Sequence, residues 1–81
     1  MARLEVRLPE LGLSGEPIRL TVWLATHESR VERGEPILEV TAGAVTVDLP
    51  APASGLLAER LVAEDDLVKP GDPVAIIETD E

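Results

Sequence analysis

The 81-residue chain contains no cysteine, phenylalanine or tyrosine, and Trp23 is its one aromatic residue. Without thiols it offers no disulfide framework, no thiolate nucleophile and no sulfur-rich metal site, and the redox compartment stays open. Without other rings, the core has to be assembled from valine, leucine, isoleucine and alanine, which favours thin, interdigitated packing. Bases are scarce as well: seven stand against sixteen acids, for a formal net charge of −9. No basic run could follow a phosphate backbone, so nucleic acid is not an expected partner. No stretch approaches the roughly 18–20 apolar residues of a membrane span, and the first residues alternate charged and apolar instead of forming a signal peptide. A soluble, cytoplasmic protein with no membrane partner is expected.

What the chain does have is a period of two. Residues 3–8, RLEVRL, alternate cleanly; Pro9, Gly12, Gly15 and Pro17 then break the chain, and Ile18, Leu20, Val22 and Leu24 are expected to share one buried face. A second alternation runs through ILEV to Ala42-Gly43-Ala44, and a third leads away through Val45, Val47 and Leu49. A short helix can be drawn over residues 52–63, but Gly55 followed by Leu56-Leu57 makes a strand the better assignment.

The pattern also repeats. Gly34 in VERGEPILEV and Gly71 in VKPGDPVAII sit in near-identical frames 37 residues apart, and the same shift superposes Leu20 on Leu57, Leu24 on Leu61, Val31 on Val68 and Pro36 on Pro73. One motif is used twice, over about residues 18–44 and 55–81 of a single domain covering residues 1–81. Each half has too little apolar surface to stand alone as a hairpin, so the halves are expected to pack around a pseudo-twofold. Pro70-Gly71 fits the centre of a type II turn, with glycine supplying a positive φ, and Gly34 should do the same in the first half.

LPELG at residues 8–12, Trp23 eleven residues after Gly12, Gly34 eleven after Trp23, GEPILEV at residues 34–40 and LPAPASG at residues 49–55 together resemble a lipoyl domain. This is the biotinyl/lipoyl attachment family, found in 2-oxo acid dehydrogenase acyltransferase components. The resemblance implies an all-β fold: a flattened eight-stranded barrel or sandwich of two four-stranded sheets, the barrel-sandwich hybrid. It also implies a hairpin tip whose lysine carries lipoate or biotin through an amide.

Here that tip departs from the family. The register through LEV and LPAP has no gap and puts the lysine position on Ala44, flanked by Gly43 and Val45. The acid-threonine-acid approach of lipoyl domains has become Thr41-Ala42-Gly43, so the whole tip is rebuilt and no cofactor is expected to be bound. With Gly43 first of two central residues, residues 42–45 can close as a type II′ turn. Lipoyl domains also commonly place Gly-Asp in the turn after the tryptophan strand; Glu28-Ser29 and Asp65-Asp66 stand there, and these turns are expected to avoid a glycine-only conformation. The ETD of residues 78–80 reads as an echo of the duplication, with Glu81 where a lysine would stand.

Other reactive-looking residues have plainer explanations. Lys69, the one lysine, precedes Pro70 in a turn and reads as a solvated charge. His27, Glu28 and Ser29 have neither a buried acid nor an oxyanion loop with them, so no catalytic residues are assigned. Glu64-Asp65-Asp66 lacks the spacing of a calcium loop and reads as a solvated acidic turn, leaving no metal site. Trp23 should point opposite Val22 and Leu24 as a partly buried plug. The expected function is therefore that of a non-catalytic docking or structural module whose partner is a protein, with the basic surface of a multienzyme complex as the natural match for its acidic face. The alternative is an active carrier that uses another amine, such as Lys69.

Overall fold

The computed structural model describes residues 2–12 and 15–80. It is all-β, with no helix among the described residues. The strands are β1 (Arg3–Arg7), β2 (Ile18–Trp23), β3 (Arg30–Val31), β4 (Pro36–Ala42), β5 (Val45–Pro50), β6 (Gly55–Arg60), β7 (Leu67–Val68) and β8 (Pro73–Thr79). They form two four-stranded antiparallel sheets in the orders β1-β8-β6-β3 and β5-β4-β2-β7. Each strand from β6 to β8 begins 37 residues after its counterpart from β2 to β4, and under that exchange the two sheet orders match in three of four strands, with β1 at the edge of one sheet and β5 at the edge of the other.

The halves are interleaved. β3 pairs with β6 and β7 with β2, so each half lends a short strand to the other's sheet. The turns do the same. Glu28 N–H donates to Leu57 O at 2.8 Å, and its counterpart Asp65 N–H donates to Leu20 O at 2.7 Å. Backbone groups that one half cannot satisfy are thus paired by the other, which is the physical reason neither half makes a separate unit.

The inner faces bring together Leu20, Leu38 and Val40 from one sheet with Leu57, Val74 and Ile77 from the other, all essentially inaccessible to solvent. Bulges shift the phase of the strands that supply them. Between Leu20 and Val22 the register against β4 slips, and between Leu57 and Glu59 the register against β8 slips in the same way. A one-residue slip exchanges the faces. Ile18 and Leu20 are buried as the alternation requires, but Leu24 is 47% exposed and Leu61 42%, so Leu24 does not share the buried face with them. Trp23 instead turns toward the core edge, where its indole N–H donates to Val62 O at 3.0 Å. Arg60, its counterpart 37 residues on, lies over the ring at 5.4 Å, a cation–π contact across the two halves.

The expected turn glycines have the expected geometry. Gly34 and Gly71 have φ of 86° and 93°, and Glu35 N–H to Glu32 O and Asp72 N–H to Lys69 O close the two turns at 2.9 Å each. The other pair of turns differs from expectation. Glu28 (φ 64°) and Asp65 (φ 76°) do enter the left-handed region, because the cross-half bonds to Leu57 and Leu20 hold their amides there at a cost of about 1–2 kcal/mol per residue.

Candidate functional site

The β4–β5 hairpin closes at an exposed tip of a molecule measuring 38 × 19 × 19 Å. Ala42 pairs with Val45, leaving Gly43 and Ala44 as a two-residue turn. Gly43 has φ 59° while Ala44 stays out of the positive region, the pattern of a type II′ turn and the one that suits the twist of a hairpin. Ala42 is buried beneath the turn, whereas Gly43, Ala44 and Val45 are exposed. The carboxylate of Glu16, from the segment leading into β2, lies over the tip: a Cβ at Gly43 would be 3.2 Å from Glu16 Oε2. Below it, the Thr21 and Thr41 hydroxyls are 2.6 Å apart. No side chain of residues 41–46 carries an amine, so the turn offers no nitrogen for an amide-linked group and does not fit a covalent lipoyl or biotinyl chain.

The segment matching the tip by the 37-residue shift is tied down. Thr79 is buried and its N–H donates to Ala2 O at 2.7 Å. Asp80 makes a two-pronged bond with Arg30 at 2.7 and 3.0 Å. Arg30 also holds Glu32, which accepts from the Ser54 hydroxyl. Hydrogen bonding to Arg30 keeps the Asp80 and Glu32 carboxyls below their ordinary range and holds the guanidinium above its own. Glu81 lies outside the described residues.

The remaining sequence candidates are structural. His27 Nε2 is 3.0 Å from Ala58 O, and Ser29 Oγ donates to Thr26 O at 2.6 Å, so the two side chains are used separately. The acidic turn does more than meet solvent: Glu64 accepts from Trp23 N–H at 3.0 Å and Asp66 from Ala63 N–H at 2.9 Å. Sequence reasoning missed these caps, although an acid three residues after Ala63 is the local signal for one. Among the described residues no group of three or more histidine, aspartate or glutamate side chains is placed to hold a metal. Lys69 is exposed, and its backbone N–H, not its amine, meets Asp72.

A family model described as biotin-requiring enzyme, that of the biotin/lipoyl attachment domains, matches residues 4–80. The chain belongs to that family. Domains of this kind are carriers, not catalysts, and hold lipoate or biotin covalently where the lysine is present. The dihydrolipoyllysine-residue acetyltransferase component of the pyruvate dehydrogenase complex of Corynebacterium glutamicum is 40% identical over 72 residues, covering 89% of this chain and 11% of that protein. The succinyltransferase component of the 2-oxoglutarate dehydrogenase complex of Bacillus subtilis is 36% identical over 73 residues, covering 90% and 18%. The chain therefore spans less than a fifth of the length of these relatives. Among solved structures, the lipoyl domain of the Azotobacter vinelandii 2-oxoglutarate dehydrogenase complex superposes with a TM-score of 0.68 at 23% identity, covering 98% of this chain and 99% of that one. A urea carboxylase of Kluyveromyces lactis superposes at 0.80 with 22% identity, over 96% of this chain and 6% of the larger protein. Both share the fold of this attachment domain.

Proposed function

We propose that this biotin/lipoyl-family domain works without a covalent cofactor, as a non-catalytic docking or structural element of an acyltransferase- or carboxylase-type assembly. The observation that carries the reading is the Gly43-Ala44 turn, a sterically sound hairpin tip with no amine on it. The ungapped register from LEV to LPAP assigns Ala44 to the place of the family's lysine, and residues 1–81 act as one such unit. The names of the relatives supply the setting, since they are components of 2-oxo acid dehydrogenase complexes. Its partner is a protein, reached through the acidic surface.

Intact mass after co-production with active lipoyl and biotinyl ligases tests this directly. The expected result is the unmodified mass; a lipoyl or biotinyl increment mapped to any residue refutes it. Lys69 carries the second reading for a specific reason. It follows Val68, which pairs with Ile18, at the same end of the second sheet as the tip, so peptide mapping of an adduct there would make the chain an active carrier by an unusual amine. A gain-of-function variant asks how far the surface has diverged. Ala44→Lys should be made with Gly43 kept, because aspartate at that position would meet both the positive φ and the Glu16 carboxylate. Lipoylation of the folded variant marks a carrier surface that lost only its tip. Failure of the folded variant to accept lipoate places the divergence in the surface as well.

A further inference from the structure

The outer edges of the two sheets meet in a groove that the tip does not use. Among the described residues β1 pairs only with β8, and β5 only with β4. The two-residue hairpin makes Ala42 and Val45 a hydrogen-bonded pair, so Val45, Val47 and Leu49 turn their backbone groups toward β4 while Thr46 and Asp48 turn theirs outward. On β1, the bond from Thr79 N–H to Ala2 O sets the same alternation and leaves Arg3 and Glu5 facing out. Between the edges lies a largely apolar groove of about 310 Å³, walled by Leu4, Val6 and Pro9 on one side and Leu49, Pro50 and Pro52 on the other, with the charged Glu5 and Arg7 also lining it.

Charge at this seam is unbalanced. Asp48 stands directly opposite Glu39, in the pair type that brings side chains closer, and like charges so placed destabilise a sheet. Neither acid forms an ion pair among the described residues. The cation of the groove, Arg7, is already engaged by Glu5 and by Gly71 O. The two acids therefore face each other without a cationic side chain among the described residues, and a strand edge and an apolar trough lie next to the same place.

We propose that this seam binds an extended, positively charged protein segment as an added strand on β5. Its main chain bonds to the outward groups of Thr46 and Asp48. Because strand side chains alternate, residues on one face set lysine or arginine beside Asp48 and Glu39, and those on the other lower apolar groups into the proline-walled groove. Pro50 has no N–H and ends the pairing, which keeps the contact short. The site deepens the docking function proposed above and rests on it.

The test is an amide-resolved NMR titration of the whole chain with a seven-residue peptide of alternating lysine and valine, and with its counterpart carrying glutamate for lysine. Shifts are expected at residues 46–48 and 4–6, with slowed hydrogen exchange at Thr46 and Asp48, and about tenfold weaker binding of the glutamate peptide. Thr46→Pro removes one outward donor at an edge where proline is tolerated, and should weaken binding of the lysine peptide about tenfold. Asp48→Lys should narrow or reverse the preference between the peptides. Equal binding of the two peptides, or binding indifferent to Thr46→Pro, overturns the proposal. Shifts confined to Gly43, Ala44 and Glu16 overturn the groove but leave docking standing. No shift anywhere at millimolar peptide removes both. Self-association of the chain with shifts at β5, seen by sedimentation without peptide, makes a second copy the occupant and also overturns it.

Discussion

Gly55 is the position where one methyl group should do the most damage. It opens β6 and is held on both sides, paired with Thr79 of β8 and Val31 of β3. A Cβ there would lie 2.1 Å from Glu78 O and 2.9 Å from Thr79 Cα, against an ordinary contact distance of about 3.5 Å. Both neighbours are backbone atoms, so no rotamer change relieves the clash and the strands must part. Overpacking costs about 1–3 kcal/mol, occasionally more. Gly55→Ala belongs at or above the upper end because two ladders loosen together. A domain of this length has about 4–12 kcal/mol of stability, so a loss of about 3 kcal/mol is a quarter or more of the total. At about 4–8 °C per kcal/mol for this size, Tm should fall by about 12–24 °C. Gly34→Ala is the control: its positive φ costs about 1–2 kcal/mol, yet nothing lies within 4 Å of the added Cβ. Urea unfolding followed by Trp23 fluorescence and far-ultraviolet circular dichroism compares the two. A Gly55→Ala protein as stable as Gly34→Ala would refute the reasoning.

The phase shift in β2 predicts that Leu20→Ala, at a fully buried site, costs about 2–5 kcal/mol, whereas Leu24→Ala changes stability by no more than about 0.5 kcal/mol; equal losses in urea titrations would contradict the bulge. Asp80 and Glu32 have folded pKa values below their ordinary ones. Their contribution is therefore present above about pH 4 and lost as pH falls through the depressed values. Protection factors at Gly55 and Asp80, which correct exchange rates for the intrinsic slowing of amide exchange in acid, should fall as pH drops below about 4, and Arg30→Ala should lower them at neutral pH and remove their acid dependence. Association with a basic protein partner should slow several-fold between about 50 and 300 mM salt while dissociation barely moves; a flat association rate in stopped flow leaves the acids as solubility charges.

The strands, the two glycine turns and the tip could be read from the chain because their causes are local. Alternation marks a half-buried strand wherever it occurs, Pro70-Gly71 favours one turn geometry, and a single glycine before Ala44 allows a two-residue reversal. The 37-residue shift from Gly34 to Gly71 carried the pairing one step further, since equal patterns make equal elements. The exposure of Leu24, the left-handed backbone at Glu28 and Asp65, the carboxylate of Glu16 over the tip and the groove between β1 and β5 were decided only by assembly. Each depends on a group distant in sequence: the partner strand that slips at Thr21, the carbonyl of Leu57 or Leu20 across the pseudo-twofold, or the edge of the opposite sheet. Local preference among these alternatives amounts to about 1–2 kcal/mol per residue, less than burying a core side chain or satisfying a buried amide yields, so packing chose where pattern could not.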